Sequence, residues 1–126
     1  MEEQFWALLS GSAAVTARVP SSRIVWGVLP QGGTLPGIVL NVIGNQDAAH
    51  LSDTDGLWRG RVQVDCYGLT YADAKRAARA VIDRLNGHAD TNFRGVFLDA
   101  QRDDHETGAS DRPFRVSLDF ITHWRA

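Results

Sequence analysis

Residues 59–85, RGRVQVDCYGLTYADAKRAARAVIDRL, decide the fold. Successive side chains of a strand alternate across the pleat, so Val62, Val64 and Cys66 point one way and Arg59, Arg61, Gln63, Asp65 and Tyr67 the other. One face is core and the other is polar. After Gly68 the period changes: Ala74, Ala77, Ala78, Val81, Ile82 and Leu85 recur at three- and four-residue spacing, the single buried stripe of an amphipathic helix. Lys75, Arg76, Arg79, Asp83 and Arg84 turn outward. Thr70 and Asp73 stand as a capping box before the helix, and Gly87 follows its last periodic residue. The unit reads as a sheet backed by a helix, with a second sheet face left for a partner.

Working outward, residues 2–9 form a short helix with Glu2 and Glu3 in the first turn, where acids complement the helix dipole, and Phe5, Leu8 and Leu9 as its apolar stripe. Gly11 ends it. Residues 13–17 add a helical turn that Pro20 stops. Residues 23–29, RIVWGVL, read as a strand, and the loop PQGGTLPG, with two prolines and three glycines, leads to a second strand at 38–44. The polar stretch 45–56, NQDAAHLSDTDG, has no period and is expected to be a long exposed loop. Beyond the helix, residues 96–102 and 113–124 read as two further strands, separated by an acidic loop at 103–112. In the last strand Phe114, Val116, Leu118 and Phe120 face the core, against Arg115, Ser117 and Asp119 outside.

The order α, β, β, β, α, β, β predicts an α+β fold: a mostly antiparallel sheet of about five strands with two helices packed on one face. At 126 residues without a linker-like stretch, residues 1–126 are expected to form one domain. An apolar share of 44% beside 22% charged residues is enough for a core without metals or disulfides. The single cysteine, Cys66, has no intramolecular partner, fits a reducing compartment, and reads as a small buried apolar residue. A formal charge of -2 is too small to imply wholesale attraction to nucleic acid or to an anionic membrane, and any such contact would have to be local. No secretory leader and no apolar run of membrane-spanning length is visible, so the product is expected in the cytosol when made.

Candidate chemistry is sparse. The serines and histidines sit in no recognisable nucleophile motif. Asp103, Asp104, His105 and Glu106 could supply hard oxygen ligands and one imidazole, but four polar residues between two strands also describe a solvated hairpin loop. His50, Asp53 and Asp55 form a similar cluster, and DTDG begins like a calcium loop without the spaced ligands that complete one. Gly32 and Gly33 precede a strand and not a helix N-terminus, which rejects a phosphate cradle. His88 follows the helix end and His123 lies on the polar side of the last strand; both read as structural or exposed. No catalytic, metal or cofactor site is assigned.

Four tryptophans in so short a chain bear on assembly, because Trp is enriched at interfaces. Trp6 is expected in the packing of the first helix, while Trp26, Trp58 and Trp124 are divided between core and subunit contacts. Arg59, Arg61, Gln63 and Asp65 on one strand, with Arg115, Ser117 and Asp119 on another, make a mixed-sign polar sheet face. It reads either as a solvated face held by cross-strand pairs or as the wall of a subunit contact or ring lumen. The candidate interface residues are therefore Arg59, Arg61, Gln63, Asp65, Trp58, Arg115 and Asp119, joined by His50 and Asp53 in one loop and Asp103 and Asp104 in the other.

Several segments together resemble the tail-completion, or tail terminator, family of long-tailed bacteriophages: ALLSG at the end of the first helix, LPQGGTLPGIVLNVIG, GLWRGRVQVDCYGLTYADAKRAARAV, GVFLDAQRDDHE and RVSLDFITHW. The resemblance covers nearly the whole chain, and its most specific part is RVQVDCYGLTYADA. It implies a structural virion protein of the tail or neck and no enzyme. It implies a ring, typically a hexamer, on the head-proximal end of the tail tube, which stops tube polymerisation and offers a joining surface to the head connector. DNA would pass through the ring without sequence-specific binding, in keeping with a near-neutral chain. Gene transfer agents, related particles that package host DNA, use the same part. Two other readings compete: a head-side stopper or adaptor of the neck, and a small cytosolic enzyme or ligand-binding domain built on the loop acids and histidines.

Overall fold

A computed structural model describes residues 1–28, 36–47, 57–105 and 114–125. Its five strands are β1 (Ile24–Trp26), β2 (Gly37–Asp47), β3 (Leu57–Gly68), β4 (Phe93–His105) and β5 (Phe114–Arg125). They form one sheet in the order β1-β2-β3-β5-β4. All neighbours are antiparallel except β1 and β2, which run parallel. Three helices, α1 (Glu2–Ser10), α2 (Ala13–Thr16) and α3 (Tyr71–Leu85), accompany it. The expected α+β architecture is therefore present, with one parallel pair at the sheet's edge.

The helices cover one face, and the alternation of β3 explains how. Val62, Val64 and Cys66 are fully buried beside Leu40 and Ile38 of β2 and Val116, Leu118 and Phe120 of β5. Against them lie Phe5, Leu8 and Leu9 of α1, Val15 of α2 and the Ala74, Ala77, Ala78, Val81, Leu85 stripe of α3. Each fully buried Val, Leu, Ile or Phe removes apolar surface worth roughly 1.5–3 kcal/mol from water, so this layer is the main stabilising element. Cys66 is part of it: burial, with the neighbouring Asp65 charge, pushes its thiol far above the ordinary range. Such a thiol is an inert apolar filler.

The handover from β3 to α3 is set by Gly68 and Thr70. A Cβ on Gly68 would stand 2.7 Å from the amide nitrogen of Ala74 and 3.0 Å from Cβ of Asp73, so only glycine lets the strand pass that close to the helix start. Thr70 then accepts the Asp73 N–H on its hydroxyl at 3.1 Å, the expected cap. At the other end Gly87 adopts a φ of 82°, and Asn86 accepts the Leu98 N–H at 3.0 Å. The Gly87 and Val96 amides continue the contact, donating to Val96 and His88, so the chain leaving α3 shields part of β4's outer edge.

Several boundaries differ from those expected. β1 keeps only three residues because Gly27 turns to a φ of 90°. β2 runs on through Asp47, past the point where turn-forming residues suggested a loop. β4 spans Phe93–His105, so Asp103, Asp104 and His105 lie on a strand and not in the loop assigned to them. Cross-strand pairing to β5 carries the ladder past the loss of apolar alternation. Among the described residues no helix is long and apolar enough to cross a membrane.

Candidate assembly surface

The sheet face away from the helices holds the polar side chains of β3, and the register arranges them in rows. Val39, Asp65, Ser117 and Arg102 form one row across β2, β3, β5 and β4; Asn41, Gln63, Asp119 and Ala100 form the next. Arg61, Ile121 and Phe97 follow, then Arg59, His123 and Gly95. Of the expected interface residues, Arg59, Arg61, Gln63, Asp65, Arg115 and Asp119 thus do share one face.

The face is stratified in depth, which alternation alone does not reveal. Asp65 is only 4% exposed and Ser117 3%. Ser117 donates its hydroxyl to Asp65 at 2.5 Å, and the Gln63 amide approaches both carboxylate oxygens at 3.0 Å. Asp65 was expected at a partner surface; it is instead an internal polar anchor. Short side chains on a central strand sink beneath longer neighbours, and a buried carboxylate persists there because its lone pairs are satisfied.

Around this anchor runs a charged network. Arg61 meets Asp99 at 2.7 Å and Asp119 at 3.6 Å, and Arg102 meets Asp119 at 3.3 Å. The other carboxylate oxygen of Asp119 is buried without a hydrogen-bond partner among the described residues. Asp99 enters through a bulge in β4 between Leu98 and Ala100. A bulge inserts one residue and re-aims its side chain, so strand alternation offered no sign of this acid. Arg59, beyond the network, is exposed and has no ion-pair partner among the described residues. At the same end Phe97, 49% exposed, lies over Gly95 and meets the His123 ring edge to face at 6.3 Å.

Trp58 and Asp103 do not join this face. Trp58 belongs to the helix side of the sheet, where its ring stacks on Trp124 at 6.2 Å; it is one residue from Arg59, and the pleat sends the two apart. Trp26 and Trp124 pack against the core, and Trp6 donates its indole N–H to the Ile24 carbonyl at 2.8 Å. Asp103 is engaged within the subunit, accepting from the Tyr71 hydroxyl at 2.6 Å and from Lys75 at 2.9 Å. Those bonds, Tyr71 first, hold its carboxyl below the usual range. His50 and Asp53, and the side chains of Asp104 and His105, lie outside the described residues. His88 bridges to Asp90 at 2.8 Å. Among the described residues no group of three or more His, Cys, Asp or Glu converges on a metal-sized space. The arrangement has the makings of a docking surface: a rigid polar floor, charged rim residues and one exposed aromatic.

The chain is similar in fold to a chain in the virion of a native gene transfer agent particle, with a TM-score of 0.60 and 22% identity over 97% of this chain and 92% of that one. No curated protein sequence matches. Residues 3–124, nearly the whole chain, match the family described as tail completion protein gp17. The chain therefore belongs to the tail completion protein gp17 family, structural components of the phage tail and not enzymes.

Proposed function

We propose that this chain is a tail terminator, which assembles as a ring, six subunits in the family's usual form, on the head-proximal end of the tail tube. The ring halts tube polymerisation and presents the surface to which a head-side connector or stopper protein joins. Its mechanism is steric and geometric. The observation that carries the reading is the family match across residues 3–124, seen together with a sheet face that none of the described helices covers. On that face Arg59, Arg61, Gln63, Arg115 and Asp119 turn toward the tube protein, the connector or the lumen, while Asp65 holds the floor in place. A formal charge of -2 suits a ring through which DNA passes without being gripped or read.

Particle dissection tests the proposal. With the gene deleted, tails should lose length control and fail to join heads, and in the parent strain the protein should remain on purified headless tails. Tails of normal length in the deletion strain would overturn the terminator reading, and recovery of the protein on filled tailless heads would place it on the head side as a stopper.

A further inference from the structure

The helix layer carries two grooves that share no residue. At the corner of α1 and the edge strand β1, Trp6, Ala7, Ile24, Val25 and Trp26 line an apolar hollow of roughly 610 Å³, with Glu2 and Glu3 on its rim. Trp6 is fixed there by its bond to the Ile24 carbonyl, yet 36% exposed. Between α2 and α3 runs a second groove of roughly 670 Å³, floored by Ala14, Ala17 and Ala80. Arg18, Arg76 and Arg79 rim it, with Asp83 the single acid. Glu2, Glu3, Arg18 and Arg79 have no ion-pair partner among the described residues, whereas Arg61, Lys75, Arg76 and Arg102 do.

We propose that these grooves are the two halves of one contact between copies of this chain: the acid-rimmed Trp6 corner of one subunit seats against the arginine-rimmed groove of the next. Opposite charges meet across it, and a floor of alanines lets a flat indole approach the backbone closely. Because the two patches are disjoint, every subunit uses both at once. Two disjoint patches permit a head-to-tail contact, which closes into a ring when the rotation between subunits returns to its start, where a self-complementary patch would stop at a dimer. Exposed ion pairs add little affinity singly, but charges arranged across an interface set orientation and exclude wrong docking. The inference rests on the ring reading above, and it leaves the polar sheet face free for the tube, connector or lumen.

Charge exchange tests it. One variant carries Glu2→Arg with Glu3→Arg, the other Arg18→Glu with Arg79→Glu, and ring occupancy is counted by electron microscopy in particles from cells supplying either or both. Each variant alone should lower occupancy by at least about tenfold. Supplied together they should restore it to within about threefold, because alternating subunits pair every corner with an oppositely charged groove and an even-membered ring accommodates the alternation. Thermal unfolding of each purified variant verifies the fold, and the corresponding Gln substitutions, which remove charge without reversing it, should give smaller losses. Full occupancy with either variant alone, or folded variants that fail to complement, overturns this contact while leaving the ring standing. Parent particles without a ring overturn the ring reading and this contact with it.

Discussion

At the scale of single residues, the polar face of β3 separates two kinds of charge that look alike in the sequence. Asp65 and Arg59 alternate to the same side, yet one is buried under Gln63 and hydrogen-bonded to Ser117 while the other stands in solvent. Periodicity gives the side of a sheet and carries no information on depth, which depends on the length of cross-strand neighbours. Ser117→Ala removes a donor from a buried carboxylate and should destabilise the fold by about 1–3 kcal/mol, read from the urea midpoint. Arg59→Ala should stay within about 0.5 kcal/mol of the parent, as substitutions of exposed groups without partners do. Arg61 lies between these extremes, since its pairs with Asp99 and Asp119 are partly exposed and worth at most about 1 kcal/mol.

At the scale of elements, the strand-to-helix passage is the best-written part of the chain. Its alternation, its Thr70 cap and its apolar stripe are all local signals, and all appear in β3 and α3. The role of Gly68 is tertiary: the space its missing Cβ leaves is taken by the Ala74 backbone. Because backbone cannot swing aside as a side chain can, Gly68→Ala should cost about 1–3 kcal/mol, against about 1 kcal/mol for Thr70→Ala, both read by denaturant melts. The far end of β4 was illegible for the opposite reason. Its residues Asp103–Asp104–His105 have loop composition, and pairing with β5 keeps them extended, with Tyr71 and Lys75 of α3 reaching Asp103.

That link between α3 and β4 has a pH signature. Asp103 is held below the usual carboxylate range, by the Tyr71 hydroxyl first and Lys75 second, so the folded state binds this proton less readily than the unfolded chain. The stability it contributes is present above the unfolded pKa and is lost as pH falls through the folded one. Lys75 is raised, chiefly by Asp103, and its contribution fades only as pH climbs past the ordinary lysine range. Tyr71→Phe should therefore lower the neutral plateau and flatten the acid limb below the normal carboxylate pKa, so that the two stability profiles converge at low pH. An acid limb as steep as the parent's would refute the assignment.

At the scale of the whole molecule, the sheet is covered by helices on one face and offers a polar floor on the other, with Asp65 buried and Arg59 exposed at the rim. The same architecture was expected from the sequence, but which tryptophans belonged to it was not, because Trp58 and Arg59 are neighbours in the chain and opposites in the sheet. If the uncovered face meets the tube or connector, its exposed charges should matter to assembly and not to folding. Arg59→Glu keeps every hydrogen bond of the floor, so the purified variant should melt within about 0.5 kcal/mol of the parent. In particles the reversed charge would face the partner's complementary potential, a mismatch that costs several kcal/mol when desolvated, and joined heads and tails should fall at least about tenfold. Counting joined particles beside a calorimetric melt separates the alternatives: loss of joining with an intact melt supports the surface, parallel loss of both makes Arg59 a folding residue, and normal joining removes this face from the contact.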